Sequence, residues 1–159
     1  MKRVLALFTL VATALAGVIA ADPAEAGPPS PTLKVARKAS GPYQPNISSV
    51  NVPTGKTKSL YFKVKNSNES TLNFNLEGTE DADVNAFYRL KWFRGAKNIT
   101  EKMTAGFALQ LEGGKQKEYR ARIKHLPTAG NLEWCVELLA SDGAPATVSS
   151  AGINGNCNL

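Results

Sequence analysis

From residue 33 onward the chain alternates apolar and polar positions with a period of two, broken by short clusters of Gly, Pro, Asn and Ser. Successive side chains on a strand point to opposite faces, so this pattern predicts half-buried β-strands. In "KSLYFKVKNSNESTLNFNLEG", residues 58–78, Leu60, Phe62 and Val64 share one parity, and Tyr61, Lys63 and Lys65 the other. Asn and Ser in "NSNES" favour a turn, after which Leu72, Phe74 and Leu76 resume the alternation, so the stretch reads as a hairpin. Further inward sets are Tyr88, Leu90 and Trp92, then Phe107, Leu109 and Leu111, then Tyr119, Ala121 and Ile123. Leu132, Trp134, Val136 and Leu138 make another, and shorter strands are expected at 33–36, near Ile47, after "RGAKN" and at 147–149. No window of helical length in this region carries a 3.6-residue period. Seven to nine short strands separated by turn signals predict an all-β antiparallel sandwich, with a small barrel as the alternative.

The first residues break the pattern. "MKRVLALFTLVATALAGVIAADPAEAG" has a positive head at Lys2 and Arg3, an apolar run from Val4 to Ala21, and a small-x-small site at Ala24–Ala26. These are the parts of a cleaved secretory signal peptide, expected over residues 1–26, with a single transmembrane anchor as the alternative for so long an apolar run. A Pro-rich lead-in follows at 27–31, and the sandwich with its C-terminal tail is expected over 32–159. Cleavage after Ala26 of the 159 residues leaves 133, one domain's worth. It leaves no transmembrane segment and keeps the net charge at +6, since it removes two residues of each sign. The two cysteines, Cys135 and Cys157, are expected to pair in an oxidising compartment. Cys135 has the opposite parity to Trp134, so the bond is expected to staple the tail across the outside of a strand.

The order of the turn and strand signals resembles bacterial exported immunoglobulin-like modules, the cell-adhesion-related type among them. The stretches that carry the resemblance are "VNVPTGKTKSLYFKVKNSNESTLNFNLEG", "FYRLKWFRGAKNIT" and "LQLEGGKQKEYRARIKHLPTAGN". The resemblance implies an immunoglobulin-like sandwich with residues 59–66 beside 117–124 in one sheet, and 87–93 and 132–140 in the other. It also implies a secreted, periplasmic or cell-surface module that binds or decorates rather than catalyses.

Candidate chemistry is sparse. His125 is the only histidine; no nucleophile elbow accompanies it, and a solvated strand-end position is expected for it. No enzyme activity and no cofactor are expected. "DADVN" fails as a calcium loop because the sixth and twelfth positions are Ala86 and Trp92. An irregular calcium site of Glu80, Asp81 and Asp83 stands beside the reading of a solvated acidic turn. Trp92 and Trp134 have core parity. The strongest lead is a basic sheet face. Lys63, Lys65, Arg120, Arg122 and Lys124 project outward with Tyr61 among them, and Lys34 and Lys38 share that parity on the first strand. Such a face can hold an anionic polymer, whether a cell-wall polymer, an acidic glycan or lipid head groups. Outward Lys and Arg equally serve to keep a sheet soluble. A specific nucleic-acid ligand is not expected, for want of a base-stacking motif; a protein partner is compatible with the same surface.

Overall fold

The computed structural model describes residues 31–79, 85–127, 130, 132–142 and 146–157. In chain order the elements are β1 (Thr32–Ala36), β2 (Ile47–Val50), β3 (Thr57–Lys65), β4 (Leu72–Gly78), β5 (Tyr88–Arg94) and β6 (Lys97–Asn98). A short helix, α1 (Thr100–Ala105), precedes β7 (Phe107–Leu111), β8 (Gln116–His125), β9 (Trp134–Ser141) and β10 (Thr147–Ile153). The strands form two five-stranded sheets, ordered β1-β3-β8-β5-β6 and β2-β10-β9-β4-β7. Every pairing is antiparallel except β2 with β10. The signal-peptide segment, residues 27–30, and Glu80, Asp81 and Asp83 lie outside the described residues.

The period-two reading places the core correctly. Leu60, Phe62, Val64, Leu76, Trp92, Ala121, Ile123, Val136 and Leu138 have no exposed surface. Burying a Val, Leu, Ile or Phe side chain among them stabilises a fold by roughly 1.5–3 kcal/mol. The two sheets share one apolar cluster. Tyr88 of the first sheet stacks on Trp134 of the second at 6.0 Å, and Phe107 of the second meets Tyr119 of the first edge-on at 6.2 Å. Gly78 is required at one close approach. A Cβ there would lie 2.6 Å from both Met103 Cγ and Trp92 Cε2, so its absence lets the indole and α1 settle onto β4.

Neighbours differ from expectation in three places. Residues 58–78 are not a hairpin: β3 pairs with β1 and β8, whereas β4 pairs with β7 and β9. "NSNES" instead carries the chain from one sheet to the other, held by buried Asn66. Its Nδ2 donates to Ser70 O at 2.8 Å and Leu111 O at 3.0 Å, while its Oδ1 accepts from Asn68 N at 3.0 Å. Second, β5 lies against β8 in the first sheet, not with β9 in the second. Third, Thr100–Ala105 is helical, a single turn and a half too short to show a period. The described residues carry ten strands, where seven to nine were expected. β3 and β8 are neighbours as expected, in unbroken register from Thr57↔Lys124 to Lys65↔Gln116.

Candidate functional site

The outer face of the first sheet is built from the polar parity of β1, β3, β8 and β5. Cross-strand register sorts it into rows: Thr57–Lys124–Arg89, then Ser59–Arg122–Lys91, then Tyr61–Arg120–Phe93, then Lys34–Lys63–Glu118, and last Thr32–Lys65–Gln116. Alternate residues on a strand lie roughly 6.8 Å apart and adjacent strands roughly 4.8 Å. Within these rows, eight cations therefore share the face with one carboxylate, Glu118. Glu118 is already engaged, because Tyr43 donates its hydroxyl to it. Burial, reinforced by that hydrogen bond and the carboxylate's charge, raises the Tyr43 pKa well above the ordinary tyrosine value. The ring of Tyr43 also lies 3.8 Å beneath Lys63 Nζ.

All six residues singled out from the sequence fall on this face. Lys65, Arg122 and Lys124 are exposed, and Tyr61, Lys63 and Arg120 partly so. Lys38 does not join them, since β1 ends at Ala36. Arg120 lies over the Phe93 ring at 4.9 Å and Arg122 at 5.7 Å, so one aromatic on β5 holds both guanidinium planes. The Nε of Arg120 is buried without a hydrogen-bond partner.

Arg89 and Lys91 were missed. Their parity was legible, but β5 was assigned to the other sheet. With β5 beside β8, Arg89 stands opposite Lys124 and Lys91 opposite Arg122. These four side chains, with Thr57 and Leu126, line an open depression of about 410 Å³. None of the described residues lining it is acidic. Like charges directly opposite each other on a sheet are destabilising. An anion seated there removes that repulsion and gains charge-assisted hydrogen bonds from two guanidinium forks.

His125 does not occupy the solvated position expected of it. It is 2% exposed. Its Nδ1 lies 2.9 Å from Val52 O and its Nε2 3.1 Å from Gly130 O. The ring packs at 4.7 Å on Tyr88, whose hydroxyl donates to Leu132 O at 2.6 Å. Each nitrogen faces a main-chain carbonyl, so the ring sits between the loops of Val52 and Gly130. Among the described residues, no three His, Cys, Asp or Glu side chains are grouped so as to hold a metal ion. Cys135 and Cys157 are bonded, and the bond fastens the tail to β9.

No family model matches the chain, and no curated protein matches it. Among solved structures, a FixG-related protein from Vibrio parahaemolyticus is similar at 9% identity and a TM-score of 0.44, over 77% of this chain and 94% of that one. The PapD-like domain 7 of human CEP192 is similar at 8% identity and a TM-score of 0.40, over 94% and 99%. A family 123 glycoside hydrolase from Clostridium perfringens is similar at 12% identity and a TM-score of 0.43; the match covers 70% of this chain and spans only 23% of that enzyme.

Proposed function

We propose that the chain is an exported, non-enzymatic β-sandwich module of the immunoglobulin-like type that holds an anionic polymer on the outer face of its first sheet. The observation that carries this reading is the placement of β5: it adds Arg89 and Lys91 to Arg122 and Lys124 around one depression with no acidic residue among its described walls. Export is supported by the basic head and apolar run of the first residues and by the Cys135–Cys157 bond. Among the described residues, no helix is long and apolar enough to cross a membrane. The ligand class is a cell-wall polymer or acidic glycan, recognised by repeated negative charge rather than by one shaped group.

Retention on immobilised polyphosphate, eluted by a salt gradient, tests the proposal. The processed protein is expected to bind at physiological ionic strength, with affinity falling steeply with salt as counterions are released. Arg89→Ala/Lys91→Ala/Arg122→Ala/Lys124→Ala should elute at much lower salt than the charge-matched control Lys38→Ala/Lys97→Ala/Lys102→Ala/Lys115→Ala, whose four lysines are exposed and lie away from the depression. Passage of the unaltered protein without retention, or equal elution of the two variants, overturns it.

A further inference from the structure

Each sheet has two edges, and an edge strand exposes main-chain N–H and C=O groups that proteins ordinarily protect. Three of the four edges here are managed. On β1, Val35 N donates to Gln44 O at 2.7 Å and Gln44 N to Val35 O at 2.9 Å. On β2, Arg37 Nη2 donates to Ser49 O at 2.7 Å and Cys157 N to Ser48 O at 3.3 Å. β6 is two residues long and carries Lys97. The fourth edge is β7, "FALQL", five residues with no charge and no proline, in unbroken register with β4 from Leu72↔Leu111 to Leu76↔Phe107. Asn66 Nδ2 holds its last carbonyl, Leu111 O, at 3.0 Å, so the stretch in question is Phe107 to Gln110. Half of its main-chain groups are turned away from β4, as in any antiparallel edge.

A cleft of about 480 Å³ runs beside this strand. It is lined by four consecutive residues of β7, Phe107 to Gln110. Consecutive residues point to opposite faces, so only an opening along the strand's edge touches all four. Ile99, Phe107 and Leu109 give it an apolar side, and Arg94, Lys97, Lys102 and Lys117 give it a cationic rim. No described lining residue is acidic. We propose that β7 is an augmentation site: an extended acidic peptide adds as a sixth strand, its main chain pairing with β7 and its alternate side chains dividing between the apolar side and the cations. Charge selects the occupant. A second copy of this chain, net +6, would bring two such cationic rims together.

The test uses a fluorescein-labelled heptapeptide of alternating Val and Glu, followed by anisotropy with the processed protein. Binding is expected, together with slowed amide exchange in β7. It should weaken about tenfold or more in Lys97→Glu/Lys102→Glu, whose two side chains are exposed and leave the core intact. The same peptide with alternate backbone amides methylated should not bind, because pairing needs its N–H groups. Arg89→Ala/Lys91→Ala/Arg122→Ala/Lys124→Ala, which strips the depression on the outer sheet face, should still bind the peptide. Equal binding of the methylated peptide, equal binding of a Val/Lys peptide, loss of binding in that four-residue variant, or no binding at millimolar Val/Glu peptide each overturns the proposal.

Discussion

Tyr119 shows what one side chain contributes and costs. Its ring helps fill the core, but its hydroxyl is buried without a hydrogen-bond partner. Burial pushes its pKa up to about 12, against the opposing pull of Arg94, from an ordinary 10.0. The unfolded chain therefore loses this proton near pH 10 while the folded chain keeps it to about 12. The sign follows: the stability tied to this group is complete below pH 10 and is lost as pH rises through 12. Tyr119→Phe is expected to flatten that alkaline loss, read by urea unfolding at pH 8 and pH 11. At pH 8 it should be neutral or stabilising by up to about 1–3 kcal/mol, since an unpaired buried hydroxyl is replaced by hydrogen. Tyr43, raised in the same direction, leaves part of the loss in place. Parity sufficed to turn Tyr119 inward. It could not show the orphaned hydroxyl, nor that His125, at a strand's last residue, would be covered by loops from Val52 and Gly130.

At the scale of elements, the Cys135–Cys157 bond is the testable part. It spans 22 residues and closes over β10, the neighbour of β9. A loop of that length contributes about 3 kcal/mol through the restricted unfolded chain. Cys135→Ala/Cys157→Ala is expected to lose about that much in chemical denaturation, with the sheet face still able to bind polyphosphate. Strand positions and buried faces were readable because a half-buried strand must alternate. Which strand lies beside which was not, because parity names a face and never a neighbour. The resemblance supplies a neighbour that parity does not, and by setting 87–93 in the other sheet it leaves Arg89 and Lys91 off the basic face. Parity's silence on neighbours is why residues 58–78 passed for a hairpin: a turn within a sheet and a crossing between sheets both call for Asn and Ser.

For the molecule as a whole, the charge of the first sheet is carried against the stability of the core. Lys34 faces Lys63, Arg89 faces Lys124 and Lys91 faces Arg122. Screening these pairs should help the fold, so the melting temperature is expected to rise as sodium chloride is raised from 20 to 200 mM. Soluble polyphosphate should raise it further at equal ionic strength, by binding the gathered cations of the native face more tightly than the unfolded chain. A melting temperature unmoved by both would mean that the cations neither strain the sheet nor hold an anion. The basic face was thus legible as a tendency on β3 and β8; its closure into a depression needed the third strand.

The fastening of the tail has a mechanical consequence. Gly152 stands opposite Cys135, and a Cβ on it would lie 2.2 Å from Ser48 O and 2.8 Å from Cys157 N, so the tail crosses directly over β10. Tension applied to the chain beyond Cys157 would pass through sulfur into β9, which is flanked on both sides by β10 and β4. The last strand would be bypassed rather than peeled off, and the pull would have to shear the middle of the second sheet.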